Sequence, residues 1–195
     1  MNKDLYIISG CNGAGKTTAS YTVLPEILDC KEFVNADEIA RGLSPFNPES
    51  MAIEAGRLML QRIEDLLAKN ATFAIETTLA TKSYINLVRH AQAKGYRVSI
   101  VFFWLRNPEL AIQRVAERVE HGGHNIPEDT IRRRYLAGIK NLFNLYIKEV
   151  DDWVIYDNTK QPRRKIASYK KGNGIVVINE DLYKSIKAYL LDELK

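Results

Sequence analysis

Cysteine and long apolar runs are scarce in this chain of 195 residues. The only cysteines are Cys11 and Cys30, which have neither the spacing of a metal site nor the number needed for a disulfide framework. The longest unbroken apolar run, residues 100–105, is far too short to span a bilayer. The apolar stretch near the N-terminus is likewise too short for an ordinary signal peptide. These absences predict a protein of the reducing cytoplasm with no membrane partner.

The charge of the chain is nearly balanced, with 28 basic and 24 acidic side chains and a formal net charge of +4. This small excess suits phosphorylated ligands without requiring nucleic acid, so a nucleic-acid partner is not expected. Apolar residues make up 46% of the sequence, enough for a substantial core. Because no repeat, low-complexity tract or linker marks a boundary, we expect a single domain over residues 1–195.

A complete G-x-x-x-x-G-K-[ST] phosphate loop occupies residues 10–17 and directly follows an apolar run. The motif functions where a buried strand leads into a helix, because its glycines let consecutive backbone N–H groups point at phosphate oxygens. We expect Lys16 at the solvent-facing mouth, reaching the terminal phosphates, and Thr17 on Mg²⁺. The alternative is a glycine-rich turn that matches by chance. The predicted ATP-binding residues here are Gly10, Asn12, Gly13, Ala14, Gly15, Lys16, Thr17 and Thr18.

Strand-like apolar runs alternate with helical segments along the chain. This alternation predicts an α/β phosphate-loop (P-loop) NTPase fold of three layers with a mainly parallel, five-stranded sheet. The strands are expected at residues 5–9, 32–35, 72–76, 97–105 and 153–156, with amphipathic helices at 52–67 and 82–94. A β-hairpin and a final helix, predicted at 164–178 and 181–194, form a C-terminal segment of about 163–195 without a predicted function.

Acidic residues follow two of the predicted strands. Asp37 lies after the second strand, at the sheet edge where ligands bind in open α/β folds, and can accept the proton of an acceptor hydroxyl. The alternative is that Asp37 only caps the next helix. Glu76 ends the third strand and is predicted to bind a sugar hydroxyl or a magnesium-bound water. Thr77 beside it is either a substrate-binding residue or a turn residue.

Basic residues cluster in two predicted helices joined by a glycine turn. Arg114 and Arg118 are four residues apart and share a helical face, and residues 122–123 are glycines that end this helix. Pro127 suits the start of the next helix, which carries arginines at 132–134. We therefore predict a mobile lid, residues 107–146, that closes over a triphosphate. The alternative is a solvated, salt-bridged surface. Two residues of the turn, His121 and His124, are expected to form hinge hydrogen bonds.

These features together resemble the zeta-toxin family of phosphate-loop kinases over about residues 5–160, and the Gly-Gly-His turn is similar to a short branch of that family. The matching motifs are the phosphate loop, Asn35-Ala36-Asp37, Glu76-Thr77-Thr78, the lid and Asp157-Asn158. The resemblance implies a fold like that of nucleoside or shikimate kinases, ATP with Mg²⁺ as donor, and Asp37 as the base. Known members phosphorylate the 3′-hydroxyl of UDP-N-acetylglucosamine and are toxins restrained by an antitoxin.

The resemblance implies Asp37 as the base, Glu76 as an acid of the substrate site and lid arginines on the transferred phosphate; together with the motifs it leads to the following predicted site. The predicted catalytic residues are Asp37, Lys16, Arg118 and Arg134. Arg114 and Asn158 join the phosphate loop in binding ATP, and the predicted substrate-binding residues are Asp37, Glu76, Thr77 and Arg133. A partner antitoxin is a further prediction.

The sequence thus predicts an ATP-dependent small-molecule kinase that transfers the γ-phosphate to a hydroxyl, with a nucleotide sugar such as UDP-N-acetylglucosamine as a candidate acceptor. Two alternatives stay open. A polynucleotide 5′-kinase has similar motifs, and the basic residues at 163–165 and 170–171 would contact the nucleic-acid backbone. A nucleotide-dependent switch or antitoxin-binding module would lack phosphotransfer, but such a binder needs neither Asp37 nor Glu76.

Overall fold

The computed structural model describes residues 3–120, 122–123 and 125–191, apart from the side chain of residue 27. The hinge prediction for His121 and His124 lies outside this part of the chain. The prediction that the final helix extends to residue 194 is wrong, because the helix ends at Ala188, within the described residues. No helix in the described part is both long enough and apolar enough to cross a membrane.

A single seven-stranded sheet organises the molecule, with strand order β2-β3-β1-β4-β5-β6-β7. The first five strands are parallel, and β6 and β7 add to the outer edge of β5 in antiparallel orientation. The strands are β1 (Asp4–Ser9), β2 (Glu32–Val34), β3 (Phe73–Thr77), β4 (Arg97–Trp104), β5 (Asp152–Asp157), β6 (Arg164–Lys170) and β7 (Gly174–Val177). The predicted α/β phosphate-loop fold is confirmed, and the predicted hairpin extends the sheet from five strands to seven.

Seven helices lie in the described part of the chain. They are α1 (Lys16–Ile27), α2 (Ala36–Leu43), α3 (Ala52–Ala68), α4 (Tyr84–Ala93), α5 (Pro108–Glu120), α6 (Glu128–Asn144) and α7 (Glu180–Ala188). Helix α3 shows why the amphipathic pattern works, since Ala55, Met59, Ile63 and Leu66 recur at helical spacing and are all buried. Helix α4 is followed by Gly95 with φ of 82°, a backbone conformation that favours glycine.

The core lies on both faces of the central strands. Most residues of β1, β3 and β4 are buried, as expected of parallel strands covered by helices on both faces. In the strand order, β2 and β3 lie on one side of β1, whereas β4 and β5 lie on the other side of β1. The crevice at this reversal, at the carboxyl ends of the strands, is where ligands bind in such folds.

Candidate active site

The phosphate loop joins β1 to α1, and its backbone shape depends on glycine. Gly10 and Gly13 have φ of 140° and 77°, respectively. A Cβ atom on Gly10 would lie 2.2 Å from the carbonyl oxygen of Phe103, and one on Gly13 would lie 2.6 Å from that of Ala111. Both contacts are with backbone that cannot easily move, so larger residues would displace the loop from β4 and α5.

Lys16 is the first residue of α1 and is only 6% exposed. Its Nζ donates a hydrogen bond to the carbonyl oxygen of Cys11 at 3.0 Å and lies 3.5 Å from Oε1 of Glu76. The expectation that Lys16 stands at a solvent-facing mouth is therefore wrong. The Lys16 ammonium group can be buried because it donates to the Cys11 carbonyl and also lies next to the Glu76 carboxylate.

Glu76 in β3 gathers polar side chains from two other elements. Its Oε2 accepts hydrogen bonds from the hydroxyl of Thr17 at 2.8 Å and from the amide of Asn35 at 3.0 Å. The parallel register places the ends of β2 and β3 beside the phosphate loop, which explains why residues far apart in sequence meet here. The result is a buried, negatively charged group directly next to the hydroxyl that is predicted to bind Mg²⁺.

This donor set fits a magnesium ion held together with nucleotide. Thr17 and Glu76 offer oxygen atoms, which Mg²⁺ prefers, and Mg²⁺ usually keeps several waters and binds one or two carboxylates plus substrate phosphates. Among the described residues, no group of three or more His, Cys, Asp or Glu side chains converges to form a cage of protein ligands.

Asp37 lies in the first turn of α2, but it does not cap that helix. The N-cap is Asn35, whose Oδ1 accepts the backbone N–H of Asp37 at 2.9 Å. The interpretation of Asp37 as only a helix cap is therefore wrong, because the helix starts at Ala36, two residues earlier than that role requires. The Asp37 carboxylate is exposed, and it lines the same cavity as Lys16 and Thr17.

The two helices of the predicted lid, α5 and α6, place their arginines differently. Nη1 of Arg134 donates to Oδ1 of Asn12 in the phosphate loop at 3.2 Å, and Arg118 and Arg133 line the cavity. Arg132 instead bonds to the exposed Glu109 at 2.6 Å, on the outside of the lid. Consecutive helical residues point in different directions, so only part of the arginine run can face the loop.

Asn158 supports the phosphate loop from behind. Its amide donates to the carbonyl oxygen of Ala14 at 2.8 Å, and it is not among the described residues that line the cavity. Arg114 both lines the cavity and donates to the carbonyl oxygens of Asn158 and Thr159 at 3.1 and 3.0 Å. These bonds hold residues 158–159, which follow β5, against the phosphate loop and α5.

The cavity has a volume of about 660 Å³ and lies between α2, the phosphate loop and the lid helices. It is lined by Gly13, Gly15 and Thr18 of the loop, and Gly10 and Ala14 are not among the described lining residues. Thr77 is not among the described lining residues, and its hydroxyl accepts the backbone N–H of Leu79 at 3.1 Å.

Sequence reasoning missed part of the cavity wall, notably Arg41, Pro48 and Glu49. The spacing of Arg41, four residues after Asp37 on α2, was an available signal, since residues four apart share a helical face. Pro48 and Glu49 belong to a short 3₁₀ turn whose position depends on tertiary packing.

Burial raises the pKa of the Cys11 thiol to about 11, so this residue of the phosphate loop is a protonated thiol at neutral pH.

Comparison with known proteins gives a family match over most of the chain. The zeta toxin family model matches residues 1–163. An uncharacterized protein of Haemophilus influenzae is 29% identical over 135 residues, which cover 69% of this chain and 94% of that protein.

Solved structures with low sequence identity share the fold. The crystal structure of AvrRxo1-ORF1:AvrRxo1-ORF2 with sulphate ions matches all of this chain with a TM-score of 0.80 and 17% identity, and the match covers 66% of that chain. A structure of the PezAT toxin–antitoxin system of Streptococcus pneumoniae also matches the full chain, with a TM-score of 0.70, 17% identity and 80% coverage of that chain. A gluconokinase from Sinorhizobium meliloti 1021 covers 98% of this chain and 94% of its own, with a TM-score of 0.52 and 15% identity.

Proposed function

This chain belongs to the zeta toxin family, and we propose that it is an ATP-dependent kinase that transfers the γ-phosphate to a hydroxyl group of a small molecule. The observation that carries the proposal is the presence of the Asp37 carboxylate in the same cavity as Lys16 and Thr17. A nucleotide-binding loop explains the lysine and the hydroxyl, and a reaction with a second substrate accounts for an exposed acid in the same cavity.

ATP is the proposed donor. The phosphate loop offers backbone N–H groups and the Lys16 ammonium to the phosphates, and a crystal structure of AvrRxo1-ORF1:-ORF2 with ATP has the same fold. Thr17 and Glu76 would hold Mg²⁺, which supplies positive charge next to the phosphate oxygens when it is bound. Arg118 and Arg134 would stabilise the charge on the transferred group from the opposite wall.

In the proposed reaction, the acceptor oxygen attacks the γ-phosphorus while Asp37 accepts the hydroxyl proton. The bond between the γ-phosphorus and the oxygen bridging it to the β-phosphorus breaks, and ADP leaves. Because Asn35 caps α2, the Asp37 carboxylate is not needed as a cap, and it lines the cavity together with residues of the phosphate loop. A carboxylate within reach of the hydroxyl is the usual base in phosphoryl transfer of this kind.

The finer proposal is that the acceptor is a nucleotide sugar such as UDP-N-acetylglucosamine, and that an antitoxin restrains the enzyme. Family membership and the complexes formed by AvrRxo1-ORF1 and PezAT support it. This chain covers 66% of the matched chain in the AvrRxo1-ORF1:AvrRxo1-ORF2 structure. Growth of cells that express the chain, compared with cells that express Lys16→Ala, tests the toxic effect directly.

The decisive experiment is a phosphotransfer screen with γ-labelled ATP and Mg²⁺ against UDP-N-acetylglucosamine, small alcohols and an oligonucleotide with a free 5′-hydroxyl. Label on a small molecule, lost in Asp37→Asn, supports the proposal. Label on the oligonucleotide alone would identify a polynucleotide 5′-kinase. Tight ATP binding without transfer to any acceptor would instead identify a nucleotide-dependent switch.

A further inference from the structure

The C-terminal helix packs on the base of the lid. Tyr189, the residue after α7, donates its hydroxyl hydrogen to the carbonyl oxygen of Arg106 at 3.0 Å. Its ring meets the ring of Tyr135 edge to face, with centroids 5.3 Å apart and planes at 77°. Arg106 precedes α5 and Tyr135 belongs to α6, so the Tyr189 side chain links the segment before one lid helix to the other lid helix. We call this region, Arg106 and Tyr135, the base of the lid. Tyr189 itself lies beyond residues 1–163, which the family model matches.

Tyr135 is the point at which α6 is fastened to the sheet. It is 2% exposed, its hydroxyl donates to the carbonyl oxygen of Leu105 at 2.7 Å, and it accepts a hydrogen bond from the indole of Trp104 at 3.1 Å. The preceding residue in the helix is Arg134, which bonds to Asn12 of the phosphate loop. The placement of Tyr135 therefore sets the point from which Arg134 extends toward the phosphates.

The other end of α6 is held independently of Tyr189. The amide of Asn141 donates a hydrogen bond to the carbonyl oxygen of Leu79 at 2.8 Å. The hydroxyl of Tyr146 donates to the carbonyl oxygen of Thr81 at 2.7 Å. Tyr183, which lies within α7, packs on this end, with its ring 5.9 Å from the ring of Phe143. The N-terminal half of α6, which carries Arg134, is held at Tyr135, the residue that Tyr189 contacts.

We infer that Tyr189 is a positioning residue for phosphoryl transfer. It holds the Tyr135 ring and the Arg106 backbone together, and this fixes the base of the lid so that Arg134 meets the transferred phosphate. Tyr189 contacts neither ATP nor acceptor in this role, and its effect on rate rests on the phosphotransfer proposed above. A displacement of about 1 Å at a reacting group can cost about a hundredfold in rate, so loss of this contact has a measurable effect.

The test compares three variants of the full chain. Tyr189→Ala removes the ring and the hydroxyl, Tyr189→Phe removes only the hydroxyl, and Tyr183→Ala is the matched control on the same helix. ADP release from ATP with Mg²⁺ and UDP-N-acetylglucosamine gives kcat and KM. Hydrogen exchange of the backbone amides of residues 131–135, measured without nucleotide, reports how firmly this part of α6 is held whether or not the chain is a kinase.

We expect Tyr189→Ala to lower kcat by about tenfold or more, with KM for ATP changed by less than about threefold. Amides 131–135 should exchange faster, and Tyr189→Phe should cause smaller losses in both measurements, because it keeps the ring contact with Tyr135 and loses only the hydrogen bond to Arg106. Tyr183→Ala should lose stability but keep kcat and the slow exchange of these amides.

Equal effects of Tyr189→Ala and Tyr183→Ala on kcat and on exchange would overturn the inference, because α7 would then act only through overall stability. Tyr189→Leu, which keeps apolar volume, replaces Tyr189→Ala if the latter does not fold. A wild-type chain without phosphotransfer would refute the proposed function, while the exchange measurement would still decide whether Tyr189 holds the lid.

Discussion

Replacement of Asp37 by asparagine separates proton transfer from every structural role of this residue. Asn35 caps α2 through the backbone N–H of Asp37, and Asp37→Asn leaves this bond in place. The only stabilising effect lost is the attraction between an exposed carboxylate and the helix N-terminus, which is about 0.3–1 kcal/mol. We therefore expect a nearly unchanged thermal midpoint and nearly unchanged ATP affinity.

Turnover should respond far more strongly. General-base catalysis typically contributes about 10² to 10⁴ in rate, which corresponds to about 2.7–5.4 kcal/mol of barrier. The loss should fall toward the lower end, because a loose transition state for phosphoryl transfer needs little help with proton removal until late. Asp37→Ala should behave like Asp37→Asn in all three measurements, since neither the cap nor the fold depends on this side chain.

The assay combines labelled phosphotransfer, calorimetric titration with ATP and thermal unfolding on the same preparations. Glu38→Gln is the matched control, because it removes one negative charge from the same turn of α2. A similar loss of turnover in Glu38→Gln would assign the effect to charge rather than to the base. An Asp37→Asn protein that binds ATP and transfers phosphate at the wild-type rate would refute the catalytic role of Asp37.

Three further predictions follow from the loop, the lid and the buried thiols. Lys16→Ala should weaken ATP binding by about 10- to 100-fold in calorimetry, since a charge-assisted hydrogen bond contributes about 1.5–3 kcal/mol; unchanged affinity would exclude Lys16 from the site. Arg134→Ala should lower kcat, by up to about 10³–10⁵ if Arg134 alone stabilises the transferred phosphate. Arg132→Ala should leave kcat unchanged, because the Arg132 side chain bonds to Glu109 instead. Equal kcat values in the two variants would contradict a special role for Arg134. The free energy of unfolding should fall as pH rises above 9, because burial raises the pKa of Cys11 and Cys30 to about 11 in the fold while both thiols ionise near 9.0 when unfolded. Urea unfolding at pH 8 and pH 10 measures this loss, which should be smaller in Cys11→Ala than in the wild type.

Local signals in the sequence located the strands and the phosphate loop well. The strand from Arg97 to Trp104 was expected within one residue, because a buried parallel strand is a continuous apolar run. Helix α3 was expected within one residue as well, since its apolar side chains repeat at 3.6-residue spacing. Both patterns are read from neighbours in the chain and need no knowledge of the tertiary structure.

The errors concern choices that tertiary contacts decide. Asn35 and Asp37 are both acceptable caps, and the sequence does not tell which backbone takes the extended conformation that a cap requires. The burial of Lys16 depends on Glu76, which approaches only because β3 lies next to β1. Likewise, the hairpin continues the sheet because the outer edge of β5 offers unpaired backbone groups, and no residue of the hairpin specifies that partner by itself.

The layout of the site explains why substitutions in the loop and in the lid should affect different kinetic constants. The loop is held by the amide of Asn158, by the Lys16 hydrogen bond to the Cys11 carbonyl and by the bridge from Lys16 to Glu76, so contacts within the protein set its shape. Such a preformed surface binds the ground state and the transition state alike, and its loss is expected mainly in ATP affinity. Arg134 contributes from a separate helix, and an interaction that strengthens only when the lid meets the transferred phosphate is expected mainly in kcat. A lid substitution that weakens ATP binding as much as it lowers kcat would therefore indicate that the lid is already closed on the loop before the reaction begins.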